Sequence, residues 1–238
     1  MVVHDLSWNS IAYLLLAARW TLILAAIAFF GGGLGGLLLA IARTSPWRAA
    51  RIPAAVFIQV IEGIPLLMLL FLFYFGISLT GLRLDAWTSV SVALTFYASA
   101  FLADIWSGCI RTVPSGQWQA ARSLALGYVL SLRFVILPQA VRIAVAPTVG
   151  FLVQLIKATA LASIVGFVEL TRAGQILNNM TFKPFLIYVI IASIYFAICA
   201  PLSMWSRSLE ARLKTRRAQS PSATFSGENV AWEKSTIS

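Results

Sequence analysis

Residues 20–42, WTLILAAIAFFGGGLGGLLLAIA, contain no charged side chain. At 1.5 Å per residue such a run crosses a hydrocarbon core of roughly 30 Å. Lipid offers the backbone no hydrogen-bond partner, so the segment has to satisfy its own N–H and C=O groups as a helix. Four more stretches behave alike. Residues 52–82 are interrupted only by Glu62, 86–110 only by Asp104, 143–168 only by Lys157, and 184–206 by no charge. The 52–82 stretch is too long for one upright span and too short for two, which predicts one helix with a tilt or an extension beyond the membrane. The fold class is therefore all-α: a polytopic membrane protein of about five transmembrane helices. Composition agrees, with 60% hydrophobic and 11% charged residues.

Several function classes fall away. His4 is the only histidine, and no cluster of His, Cys, Asp and Glu has metal-ligand spacing. No phosphate-binding glycine loop or Ser/His/Asp set can be assembled, so no catalytic residue is expected. Cys109 and Cys199 lie in apolar runs and are expected to pack rather than form a disulfide. Ala40-Ile41-Ala42 resembles a signal-peptidase site, but the apolar run before it exceeds the roughly 7 to 15 residues of a signal segment, so cleavage is not expected.

The net charge of +10 follows membrane logic and not that of a nucleic-acid surface. Arg43, Arg48, Arg51, Arg111, Arg122, Arg133, Arg142 and six bases from Arg207 to Lys234 fall on one side of the alternating spans, thirteen in all. Arg19, Arg83, Arg172 and Lys183 fall on the other. The positive-inside rule then predicts an extracytoplasmic N-terminus and a cytoplasmic C-terminus. Residues 1–19 form the outer end and the start of helix one, 20–217 the membrane domain, and 218–238 a polar, aperiodic tail expected to be mobile in the cytoplasm.

Gly31, Gly32, Gly35 and Gly36 set two overlapping GxxxG spacings on helix one, a pattern that lets another helix approach closely, within the chain or between subunits. Glu62, Asp104 and Lys157 are charges inside apolar runs and so are candidates for function or for buried pairing. Glu62 either pairs, with Lys157 as the expected partner, or faces the pathway unpaired.

Residues 111–142 form a long loop on the basic side, and long loops with a pattern of their own are usually functional. Pro114-Ser115-Gly116 predicts a helix start, and Trp118, Ala121 and Leu124/Ala125 make one slim apolar stripe. Gly127 supplies a left-handed stop. Small alanines suit a groove of another protein closing on the helix, and equally a helix capping the bundle.

Within this loop QAARSLALGYVLSLRFVILP resembles the EAA loop of ABC importer permeases, whose pattern is EAA, three residues, Gly, nine residues, Ile, one residue, Leu-Pro. Ala120, Ala121, Leu137 and Pro138 match, whereas Gln119 replaces Glu, Ala125 replaces Gly and Val135 replaces Ile. EGIPLLMLLFLFYFGI, FLADIWSGCIRTVPSGQWQAARSL and LVQLIKATALASIVGFVELTRAG are similar to runs of the polar amino-acid branch, so the resemblance spans roughly residues 11–213. It implies a transmembrane permease of an ATP-driven importer of polar amino acids, in the bacterial inner membrane. It also implies partners: an ABC ATPase carrying ATP and Mg, with no cofactor in this chain; a second permease subunit, the same or related; an extracytoplasmic solute-binding protein; and membrane lipid.

On that resemblance Trp118, Gln119, Ala120, Ala121, Arg122, Ser123, Leu124, Ala125 and Gly127 are expected to couple to the ATPase. Glu62, Pro65, Lys157, Thr159 and Glu169 are expected along the substrate pathway. Glu62 stands where that branch usually carries Arg, Ser107 where it carries Arg, and Ala158 where it commonly carries an acid. The alternative from another class is a stand-alone secondary transporter or channel, which needs no coupling helix and would show an internal repeat.

Overall fold

The structure, a computed structural model, describes residues 8–81 and 84–218. The tail expected at 218–238 lies, but for its first residue, outside the described residues.

Helix α1 (Trp8–Thr44) begins twelve residues before the uncharged run. Arg19 does not interrupt it, because its side chain is exposed with the guanidinium 5.3 Å from the Trp20 ring. The chain turns into α2 (Arg48–Gly63) and then breaks. Ile64 and Pro65 are extended, as the residue before a proline is sterically pushed to be, and α3 (Leu66–Phe71) leaves at 102° to α2. The expectation of one tilted helix over 52–82 is thus corrected to a broken pair. A π turn at 72–76 and a 3-10 turn at 77–80 carry the second arm on to Gly81, whose φ of 89° ends it.

Helix α4 (Ala86–Thr112) is capped by Asp85, which accepts hydrogen bonds from the Thr88 amide and hydroxyl. The hydroxyl bond holds the Asp85 carboxyl below its ordinary range. Short α5 (Ser115–Ser123) and α6 (Tyr128–Ser131) follow, then a π turn at 132–136 and α7 (Leu137–Ala158). The wide turn immediately precedes Pro138, which has no N–H to give and whose ring would crowd a carbonyl of an ordinary turn. Residues 128–165 therefore run as one 38-residue span, starting well before residue 143. Helices α8 (Leu170–Thr181) and α9 (Pro184–Ala218) complete the chain.

Close packing fixes the relative directions. A side chain at Gly31 would meet Thr95, one at Gly32 would collide with Ala98, and one at Gly36 would touch Leu102 at 3.0 Å. Position numbers rise together along both helices, so α1 and α4 run parallel, and the α2–α3 pair must carry the chain back between them. The glycine spacings thus pack within the chain, where bulk would hold the two backbones apart. On α9, Ser206 donates to the Ala146 carbonyl at 2.9 Å, and Cys199 packs with Val153 and Ile156. Helices α7 and α9 are therefore antiparallel. Among the described residues four helices are long and apolar enough to cross a membrane, and the bent pair makes a fifth where it counts as one span. The arginine-rich ends of α1, α4 and α9 and the start of α7 lie together at one end of the bundle.

Candidate functional site

At the arginine-rich end, α5 lies across the base of the bundle. Trp118 stacks on Tyr128 with ring centroids 5.8 Å apart and packs with Ile110, Val113, Leu132 and Ile136. Ala121 is buried. Of the two partners that the slim apolar face suited equally, another protein's groove or the bundle, it meets the bundle, where Trp118 and Ala121 supply the contact surface. Gln119, Ala120, Arg122, Ser123, Leu124 and Ala125 point outward, with Leu124 74% exposed.

The end of α5 differs from expectation in one residue that matters. The Leu126 amide donates to the Ala121 carbonyl at 3.1 Å and the Ala125 amide to the Arg122 carbonyl at 2.9 Å, the paired bonds of a Schellman stop. The left-handed residue that this stop requires is Ala125, at φ 57°, whereas Gly127 is extended at φ −64° and ψ 166°. The bend stays where the EAA pattern carries glycine, although the residue there is alanine. Tyr128 donates to the Thr44 carbonyl at 2.9 Å, tying the loop to the end of α1, and Gln139 reaches Gln117 at 3.2 Å.

At the opposite end the residues close on themselves. Residues 159–165 form a 3-10 turn ended by Gly166 at φ 86°, after which Glu169 caps α8. Its carboxylate accepts from the Thr171 and Arg172 amides, each at 2.9 Å, from the Tyr195 hydroxyl at 2.9 Å and from Thr21 at 3.4 Å. Thr21 in turn accepts from the Leu170 amide at 3.2 Å. One fully buried acid thereby joins α1, α8 and α9. Burial raises its affinity for a proton above the ordinary carboxylate range, and the Thr171 and Arg172 amides and the Tyr195 hydroxyl oppose that shift. Thr159 is also fully buried, with its hydroxyl on the Ile156 carbonyl at 2.7 Å.

Glu62, Pro65 and Lys157 are placed differently. Glu62 is half-buried and Pro65 exposed at the α2–α3 break. Glu62 feels the charges of Asp104 and Arg43, which are themselves joined in an ion pair between α4 and α1. Tyr97 lies within its reach and interacts with Gln154. Lys157 is exposed in the last turn of α7, where it suits the negative helix end and lies near Cys199 of α9. The expected Glu62–Lys157 pair is therefore not formed. The two residues face different neighbours, and it is Arg43, at the end of α1, that balances the acids.

Sequence reasoning missed Thr21, Tyr195 and the Arg43–Asp104 pair. A threonine and a mid-span tyrosine in otherwise apolar runs were the available signals, since buried hydroxyls seek partners. Among the described residues no group of three His, Cys, Asp or Glu side chains could hold a metal ion.

Residues 32–215 match the family model described as binding-protein-dependent transport system inner membrane component. The chain is 34% identical over 205 residues to a probable amino-acid ABC transporter permease, YckA, of Bacillus subtilis (strain 168), covering 86% of this chain and 91% of that one. It is 33% identical over 209 residues to the glutamine transport system permease GlnP of Escherichia coli (strain K12), covering 87% and 95%. The crystal structure of an amino acid ABC transporter with histidines superposes with a TM-score of 0.80 at 32% identity, covering 88% of this chain and 100% of that chain. An inward-facing MetNI methionine ABC transporter superposes at 0.67 and 21% identity, a likeness of fold.

Proposed function

The chain belongs to the family of binding-protein-dependent transport system inner membrane components and is the permease subunit of an importer; from that premise we propose that it carries polar amino acids, driven by a separate ATPase that docks on the outer face of α5. The observation that carries this reading is the split of α5 into two faces. Trp118 and Ala121 lock it to the bundle, while Gln119, Ala120, Arg122, Ser123 and Leu124 stand free of it. A helix gripped on one side and bare on the other transmits force from a partner to the spans it touches. ATP and Mg belong to that partner, and this chain holds no cofactor.

The amino-acid class rests on likeness to permeases so described and to the solved transporter with histidines. A second permease subunit, the same or related, completes the pathway, and an extracytoplasmic binding protein delivers the substrate. Glu62 and Pro65 at the helix break and Lys157 on α7 border the pathway. Thr159 and Glu169 belong to its supporting wall, since their polar atoms are spent inside the bundle.

The arginine-rich end faces the cytoplasm of the bacterial cell, with the N-terminus outside. Single cysteines test that orientation. Ser115→Cys should be shielded from an impermeant thiol reagent added outside intact cells, and Leu79→Cys, at a position 90% exposed, should react; the reverse pattern overturns it. The transport reading is tested in vesicles holding the permease, its co-purified ATPase and binding protein. Uptake of radiolabelled glutamine, histidine or arginine should require ATP and the ATPase, and uptake by the permease alone would contradict it.

A further inference from the structure

Three arginines from three different helices converge at the basic end of the bundle. Arg43 closes α1, Arg51 lies in the first turn of α2 and Arg111 closes α4, and all three line one open cleft of about 720 Å³. Arg43 is held by Asp104. Arg111 meets only the Ser107 hydroxyl, at 3.2 Å, and Arg51 has no acidic partner among the described residues. Among the described residues no carboxylate lines the cleft to balance the Arg51 and Arg111 guanidinium groups. The first turn of α5 enters the same space at Ser115, with no side chain capping its amides, and adds the positive end of a helix.

The remaining wall is apolar. Ile52 and Val56 line the cleft, and with Val60 they form an i, i+4, i+8 strip on α2, each more than half exposed. That strip runs about 12 Å from the arginines into the depth of the span. A cleft with cationic groups at the interface and a bare apolar strip leading into the hydrocarbon presents the two chemistries of a phospholipid in their natural order. Free phosphate would use only the first of them.

We propose that Arg51 and Arg111, with Arg43 behind them, bind the phosphate of an anionic phospholipid whose acyl chain lies along Ile52, Val56 and Val60. The site occupies the angle between α1, α2, α4 and α5, so a bound lipid braces the grip of the loop helix on the bundle. It lies apart from the outward face of α5, where Gln119 and Leu124 stand.

The test uses the full chain purified in detergent, with phosphatidylglycerol and phosphatidylcholine of the same acyl chains as probes and native mass spectrometry as the readout. The wild type should hold one phosphatidylglycerol about thirtyfold more tightly than phosphatidylcholine, as expected for two near-surface charges. Arg51→Gln with Arg111→Gln should reduce that preference to within about twofold, and Arg51→Gln alone to about fivefold. Both arginines are exposed, so the lipid-free melting temperature should not change. Arg207→Gln, at the same end but outside the cleft, should keep the full preference. An equal loss in Arg207→Gln would make the effect diffuse charge, and displacement of the lipid by millimolar inorganic phosphate would make the cleft a free-anion site; either overturns the proposal, as does a wild type with no preference.

Discussion

The two ends of the bundle are built on opposite plans. Around Glu169 a fully buried carboxylate gathers donors from α1, α8 and α9. Around α5 the backbone is pinned by a few contacts while polar and apolar side chains project outward. A closed hydrogen-bond set makes a fixed support, and an open face makes a place where another subunit can push. The proposed coupling uses both, because force applied at one end does work only against something rigid at the other.

The contrast can be broken first at the rigid end. Glu169→Ala strands buried donors on three helices and should cost about 3 kcal/mol, read as a lowered melting temperature in detergent. A change near zero would mean that the network is incidental. At the open end the same logic predicts opposite outcomes for neighbouring residues. Ala121→Asp forces an unpaired charge under α5 and should cost about 2 kcal/mol, whereas Leu124→Asp changes only the exposed face and should lie within about 0.5 kcal/mol of wild type. Equal costs would erase the distinction between the two faces.

A smaller effect sharpens the view of the Schellman stop. Ala125→Gly removes the steric penalty of a left-handed alanine and should stabilise the chain by about 1 kcal/mol, while Gly127→Ala, at an extended residue, should have little effect. A destabilised Ala125→Gly would show that the bend is not where the fold needs freedom. The smallest effect is on pH dependence. Because burial raises the Glu169 carboxyl, its contribution to stability is complete below its ordinary value of 4.5 and declines as pH rises through the higher folded value. A melting temperature followed across that window should slope downward for wild type and flatten in Glu169→Gln.

Much of this was legible in the chain itself. Uncharged runs dictate helices in lipid, and the glycine spacing announced a close helix contact on α1 without saying which helix, or which subunit, would fill it. The loop helix was visible from its start signal and its periodicity. What could not be read was direction. A stripe of Trp118 and Ala121 looks the same whether it meets a partner or its own bundle, and only the tertiary position of Ile110, Leu132 and Ile136 decides. The partners of Glu62 and Glu169 were hidden for a related reason. Arg43 lies 61 residues from Asp104, and Thr21 148 residues from Glu169, so each pairing depends on how the helices are arranged. The break at Gly63–Pro65 was readable in principle, since Pro65 forces Ile64 out of the helix.

The central claim is that work enters through the bare face of α5. It is tested most directly by ATP-driven amino-acid uptake in vesicles containing the Leu124→Asp permease with its ATPase and binding protein, normalised to the amount of folded permease. The account predicts normal insertion and thermal stability, loss of ATPase co-purification, and uptake reduced at least about tenfold, as removal of a central contact residue would give. Wild-type uptake with the ATPase still bound would place the coupling elsewhere and contradict it.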